Sequence, residues 1–521
     1  MGHRDIKGAF FDRVLLDVMT REQHDEIGNQ IRKRMNTSGN QPKRTRGLSV
    51  ASFLMLALFG CASVVPPRAP SADVEVPAAW SAGDRAAVDG SSVLAEWWLR
   101  FEDPLLARLI AQALESNRTL ANATAALRQA RALRDAARAA LFPVLNAWAA
   151  AQRGSTSYSN VSNDFSAGLD ASWELDIFGG NRSAMYVSDA VMQASAASLG
   201  DAQVSVAAEV ALDYITLRDA QARLAIATEN LANQENTLQI AQWRQQAGLS
   251  TLLETEQARA EAEQTRAQLP LLHTVIEQFS HALAVLTGQP PRALSSVLTE
   301  AAPVPRANSR LALGIPADTL RQRPDVRYAE QQVRAAMARV SQAKAARAPD
   351  FTLGGSLTSS ALSAGALGSS ASIVKAIVAS VAMPLFDGGA RRAQVRAQVA
   401  ALEQAQAAYE ASILLALQEV EDALIAIRGD GDRTRSLRKA AEAAANASLM
   451  ARQRFSSGLT DFLTVLDTQR AQLSTQDALA SAIADVSSDH VRLYKALGGG
   501  WTSAEAADSR PSAQTLSGVS R

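Results

Sequence analysis

The chain has 521 residues, and its 52 Lys+Arg balance 52 Asp+Glu for a formal net charge of zero. That balance leaves no basic excess for nucleic acid, while the length gives room for roughly two to four ordinary domains. Aromatic residues are only 5% and alanine is over-used, which favours closely packed helices because alanine has the highest helix propensity and lets helix axes approach.

Residues 1–34 include the mixed-charge stretch Arg21-Glu22-Gln23-His24-Asp25-Glu26, unlike the start of an export signal, so Met35 is the expected true start and 1–34 a non-native extension. A precursor whose N-terminal sequence began at Met1 would overturn this. Residues 35–60 are the expected signal peptide: Lys43, Arg44 and Arg46 precede an apolar run from Leu48 to Gly60. That run is shorter than the ~20 residues needed to span a bilayer. The segment Leu58-Phe59-Gly60-Cys61 resembles a bacterial lipoprotein box, which implies cleavage before Cys61 and acylation of its sulfur. An ordinary buried cysteine after an apolar stretch gives the same local pattern. Cys61 is the only cysteine, so no intramolecular disulfide exists. Ala62, rather than Asp, follows it, which in the lipoprotein resemblance implies the outer membrane. One acyl chain holds a protein to a membrane only marginally, so a second membrane contact is expected. An anchor segment over 61–97 follows, Pro-rich and extended from Val65 to Pro77.

The next elements come in two rounds, expected as repeat 1 over 98–300 and repeat 2 over 301–497, with a tail over 498–521. Each reads helix, two strands, long helical hairpin. Round one opens with a helix from Pro104 to about Leu141. From Phe165 to Ile177 the odd positions are apolar, while the even positions are Ser166, Gly168, Asp170, Ser172, Glu174 and Asp176. This strict alternation predicts a strand with one apolar and one acidic face. Ser159 to Asp164 reads as the loop before it. A helix from Ser183 to Ala247 follows, stopped by Gly248, then a return helix. Pro290-Pro291 and Pro303-Val304-Pro305 separate the rounds.

Round two opens at Pro324, suited to a first helical turn. Val326, Ala329, Val333, Ala336, Val340 and Ala343 form a heptad seam for one partner helix. Phe351, Leu353 and Leu357 alternate with polar residues; Ala361 to Ala371 reads as a loop, and Ile373 to Phe386 as a strand apolar on both faces. A helix from Ala390 to Ser457 follows, with an interruption expected at Gly429-Asp430-Gly431 and a stop at Gly458. Three landmarks recur: Pro143 with Pro349, Phe178 with Phe386, and Gly248 with Gly458, at offsets of 206, 208 and 210. Ordered matches with slow drift predict an internal duplication.

The alternating strands suit either a half-buried soluble sheet or a membrane barrel with a polar lumen; export and lipidation favour the barrel. Four strands cannot close one, since the smallest membrane barrels need about eight and open edges are not tolerated in lipid. The barrel is therefore shared between chains, narrow and filled with two, wider with three.

Four stretches carry a family resemblance: Trp98-Leu99-Arg100-Phe101-Glu102-Asp103-Pro104-Leu105; Trp173-Glu174-Leu175-Asp176-Ile177-Phe178-Gly179; Leu320-Arg321-Gln322-Arg323-Pro324-Asp325-Val326 with Ala329-Glu330; and Phe455 to Asp467. From Trp97 to Leu497 the chain resembles the TolC-like outer-membrane efflux proteins, lipoprotein branch, the NodT/OprM-like outer-membrane factors of RND pumps. The resemblance implies an α+β, mostly α fold: a homotrimer whose shared twelve-stranded barrel continues as a long α-helical coiled-coil tunnel. It implies a periplasmic adaptor and an inner-membrane RND pump as partners in a tripartite system exporting drugs or other toxic small molecules. The same fold serves type I protein secretion, and a periplasmic structural lipoprotein is a reading of a different class.

The resemblance also implies a closed resting gate at the second hairpin, where Asp467 matches an acidic position, Thr464 stands where some members have a second Asp, and Leu463 is placed for an apolar constriction. Without the family position, Asp467 would read as a solvated helix-surface acid and Leu463 as a coiled-coil core residue. Three carboxylates around a threefold axis repel one another and attract cations. Asp170, Glu174 and Asp176 are expected to face the lumen and give the open pore a cation preference. There is no nucleotide-binding loop, no His-Glu-x-x-His and no nucleophile–base constellation. No enzyme activity, cofactor or metal is expected beyond the lipid on Cys61, and Arg323-Pro324-Asp325 reads as structural.

Overall fold

The computed structural model describes residues 76–77, 80, 94–156, 159–307, 320–369 and 372–501. Cys61, the signal over 35–60, the extension over 1–34 and the tail beyond 501 lie outside the described residues. After a 3-10 turn at Trp97–Phe101, the first half runs α1 (Pro104–Ser116), α2 (Arg118–Ala139), β1 (Val144–Thr156), β2 (Ser159–Glu174), α3 (Gly180–Gln246) and α4 (Leu252–Leu286). A one-turn α5 (Ser295–Leu298) leads to α6 (Pro324–Ala345), β3 (Asp350–Ala361), β4 (Ile373–Ala382), α7 (Ala390–Ser456) and α8 (Phe462–Ala496). The halves match in element length: α2 and α6 have 22 residues each, α3 and α7 67, α4 and α8 35. At ~1.5 Å per residue the long helices extend about 100 Å.

Three sequence expectations are corrected. The helix expected over Pro104–Leu141 is two helices, because Asn117 ends α1 and caps α2: its Oδ1 accepts from the Thr119 and Leu120 amides at 2.8 and 3.3 Å. Its Nδ2 donates to the Leu286 carbonyl at 2.9 Å, tying the break to the end of α4. Gly429-Asp430-Gly431 does not interrupt α7, which is continuous. Two glycines cost about 1 kcal/mol each in a helix, and packing along α8 offsets that; Thr434, three residues on, donates to the Ala482 carbonyl at 3.2 Å. Ser159–Asp164 is strand rather than loop, because Asn163 and Asp164 pair with Arg153 and Gln152 of β1.

The four strands form one antiparallel sheet in the order β1-β2-β3-β4. β1 and β4 are its two edges. The main core lies where the 3-10 turn, α1, α3, α4 and α8 meet: Trp97 is fully buried and stacks on Tyr494 at 5.1 Å, beside Phe101, Ile110, Val210 and Leu283. Asp103 caps α1 through the Leu105 and Leu106 amides and accepts from the Tyr214 hydroxyl at 2.9 Å. Burial pushes the Tyr214 phenol up to about 12.

α6 packs on both α3 and α7, so it buries Gln331, Ala335 and Ala338 as well as Val326, Val333, Ala336 and Val340. It therefore has two seams where the heptad pattern shows one. At its start the buried Arg323 donates to both Asp325 oxygens (3.0 and 2.6 Å), to Glu419 Oε2 of α7 (2.7 Å) and to the Ala496 carbonyl of α8 (2.6 Å). The Arg-Pro-Asp signature thus clamps three helices together.

Candidate functional site

The sheet register sorts the strand residues onto two faces, since directly paired residues share a face. One carries Leu145, Leu169, Trp173, Leu353, Leu357, Ile377 and Val381, all exposed on the chain. The other carries Asn146, Asp170, Ser356 and Ala376 in one row, and Glu174, Thr352 and Ser380 in another. Asp170 and Glu174 therefore lie on the polar face. Trp148 also lies there, closing over Gly168, where a Cβ would come 3.0 Å from the indole. Sequence alternation in β2 alone gives no sign of that ring.

Asp176 departs from the expectation of a strand acid, because β2 ends at Glu174. Its carboxylate accepts from the Asn181 and Arg182 amides (3.0 and 2.9 Å) and from Arg182 Nε (3.0 Å). An anion on free amides at a helix start is favourable on both hydrogen-bond and dipole grounds. Asp176 thus fixes the corner where the sheet passes into α3. Asp387 does the same for α7, accepting from the Gly389 and Arg391 amides at 2.8 and 3.1 Å, which hold its carboxyl below the usual range.

The two long hairpins end alike. Gly248 and Gly458 have φ of +73° and +72°. The following amides, Leu249 and Leu459, reach back to the Arg244 and Arg454 carbonyls, each at 2.8 Å. This pattern closes a helix through a left-handed residue, which glycine adopts without steric cost. Leu249, Leu459 and Leu463 are exposed at these ends.

Asp467 is exposed, and its carboxylate lies 3.6 Å from Arg470 Nη1. Arg470 in turn donates through Nε to Glu261 Oε2 of α4 at 2.6 Å, and the Glu261 side chain is only 6% exposed. Thr464 donates its amide (3.0 Å) and its hydroxyl to Asp461, the cap of α8; these bonds hold the Asp461 carboxyl below the usual range. Thr464 is thus committed to a cap. Phe455 and Phe462 pack at 5.5 Å beneath the turn, with the Arg244 guanidinium over the Phe455 ring.

Further from the tips, polar rungs join the hairpins. Gln469 donates to Thr237 (2.9 Å), Arg452 to Asn233 (2.7 Å), Asn230 to Gln476 (2.9 Å) and Arg223 Nε to Asp477 (2.7 Å). Sequence reasoning passed over Glu261 and Arg470, because Arg259-Ala260-Glu261-Ala262-Glu263 reads as a solvated helix face. Among the described residues no group of three or more His, Cys, Asp or Glu is placed to hold a metal.

The family model for outer membrane efflux proteins matches residues 109–289 and 315–499. The toluene efflux pump outer membrane protein TtgF of Pseudomonas putida is 31% identical over 477 residues, covering 88% of this chain and 97% of the relative. The fold is similar to that of VceC, an outer membrane protein of Vibrio cholerae, with TM-score 0.74, 28% identity, and coverage of 78% of this chain and 99% of that one. It is also similar to the open state of the MtrE outer membrane channel of Neisseria gonorrhoeae, with TM-score 0.73, 29% identity and coverage of 84% and 98%. The matched segments hold the whole sheet and both pairs of long helices, so sequence, topology and structural likeness converge: the chain belongs to the outer membrane efflux protein family and is an outer-membrane efflux channel.

Proposed function

We propose that three copies of this chain close their sheets into one twelve-stranded barrel, with the long hairpins forming a tunnel below it that ends in a gate. The observation that carries this is the sheet itself: two edges unpaired among the described residues and an apolar face exposed along all four strands. Open edges are not tolerated in lipid, so β4 of one chain pairs with β1 of the next. The polar face then lines the pore, with Asp170 and Glu174 in the lumen. The equal element lengths of the two halves support an internal duplication, with repeats over 98–300 and 301–497.

The channel is the exit duct of a tripartite RND-type pump, and its cargo is drugs or other toxic small molecules; the toluene pump named for a relative supports this class. The hairpin ends at Gly248 and Gly458 face the periplasmic adaptor and pump. Leu463, Thr464 and Asp467 belong to the gate, with Arg470 and Glu261 holding it shut. Cys61 carries the lipid that adds to the barrel's membrane anchorage. Native mass spectrometry of the detergent-solubilised protein tests the assembly. A mass of three lipidated chains, resistant to detergent until heated, is expected; a monomer throughout would overturn the shared barrel.

A further inference from the structure

The apolar face of the sheet carries two cations, Arg153 of β1, paired with Asn163 near the tip of the first strand pair, and Lys375 of β4. Lys375 of β4 pairs with Leu357 of β3, so it shares the face of Leu145, Leu169, Leu357 and Ile377, and it is exposed there. On the barrel reading above, which this inference rests on, that face meets lipid. A lysine is costly at the bilayer centre and nearly free at the interface. Lys375 is two positions from the first residue of β4, Ile373, which is about 7 Å along the strand. Its stem spans that distance and brings the ammonium to the level of the β3–β4 loop.

What waits at that level is polar. Ser359 pairs with Ile373 on the same face, one step beyond Leu357. Its Oγ lies 2.9 Å from Ser372 Oγ, and Ser369 Oγ donates to Ser372 Oγ at 3.2 Å. On the other side of Lys375, away from the loop, Ala171 and Gly355 leave the face without side-chain bulk. The recess over them is walled by Leu145, Leu169, Leu357 and Ile377, with Lys375 at its rim. Cation and hydroxyls towards the outside and an apolar recess towards the membrane interior give the polarity of an outer-leaflet lipid.

We propose that this surface is a seat for one phosphate-bearing anionic lipid per chain. The phosphate meets Lys375 and the Ser359 hydroxyl, since Ser369 donates to Ser372 Oγ and Ser372 to the Ser369 carbonyl, and part of an acyl chain fills the recess over Gly355. Charge complementarity selects the occupant, since among the described residues Lys375 is the one charged residue lining the recess. A zwitterionic lipid brings a competing cation and gains less.

The test uses the full processed protein reconstituted in vesicles of phosphatidylcholine and phosphatidylglycerol, released into native mass spectrometry. The wild type keeps phosphatidylglycerol, up to one per chain, under activation that strips phosphatidylcholine. Lys375→Gln lowers that retention about fivefold, and Lys375→Arg restores it. Gly355→Val fills the recess and also lowers retention. It is a mild change to the fold, because a Cβ there meets its nearest atoms, Ala376 O and Ala171 Cβ, only at 3.9 and 4.0 Å. Lys439→Gln, which removes an exposed charge from α7, leaves retention unchanged. Equal retention of the two lipids by the wild type, or an equal loss in Lys439→Gln, would overturn the seat. An environment-sensitive dye on Leu353→Cys separates this from failure of the barrel reading. No blue shift in vesicles means the face does not meet lipid; a blue shift without anionic preference rejects the lipid seat alone.

Discussion

Replacing Arg470 by alanine removes the one charge-assisted bond that crosses from α8 to the buried Glu261 of α4, at 2.6 Å. Such a bond contributes roughly 1.5–3 kcal/mol, and an unpaired buried acceptor keeps its desolvation cost. The Arg470 side chain is 50% exposed, so solvent screening places the effect near the lower end, about 1.5 kcal/mol. If the hairpins separate when the gate opens, the loss falls on the closed state alone. The open-to-closed ratio then rises about tenfold for each bond broken. Single-channel recording in planar bilayers reads this as open probability. Glu261→Gln raises it too, and the double variant raises it no further than the larger single effect, because both remove the same bond. Strictly additive effects, or unchanged open probability in intact trimers, would refute the latch.

Other expectations separate residues that the strand pattern treats alike. Asp170→Asn with Glu174→Gln reduces cation selectivity with little change in thermal stability, whereas Asp176→Ala lowers the melting temperature through lost amide bonds at the start of α3. Reversal potentials and melting curves read the two. Gly458→Ala meets no atom within 4 Å, so it costs only the left-handed backbone, about 1–2 kcal/mol; faster protease nicking at the second hairpin end is expected, with the first unaffected. Burial pushes Asp219 and Asp489 up to about 6 from 3.8. The folded state then binds more protons than the unfolded one between those values, so this contribution to stability is largest at acid pH and falls as pH rises from about 4 to about 6. Asp489→Asn removes its share of the penalty and raises the melting temperature more at about pH 7 than at about pH 5; an equal gain at both would contradict the assignment.

The parts legible in the sequence were those governed by local periodicity. The apolar and acidic positions of β2 follow from alternation, and the hairpin ends from Gly248 and Gly458 after long alanine-rich stretches. What was not legible depends on groups distant in sequence. The break at Asn117 lacks any proline or glycine, and rests on a cap completed by the Leu286 carbonyl. The Gly429-Asp430-Gly431 stretch looks like a stop, yet contacts with α8 carry the helix through it. Asp176 fits the acidic alternation but lies past the strand, where Arg182 and two amides claim it. Glu261 and Arg470 stand 209 residues apart, and only the packing of the two hairpins brings them together.

A gated pore is what the shared barrel and the hairpin ends together require. Its most direct test is single-channel conductance of the purified trimer in planar bilayers, wild type beside Asp467→Ala. Small, flickering wild-type currents that grow in the variant are predicted, because removing the carboxylates removes the ring that draws and holds cations in the closed end of the pore. Intact trimers that pass no current in either form would contradict it.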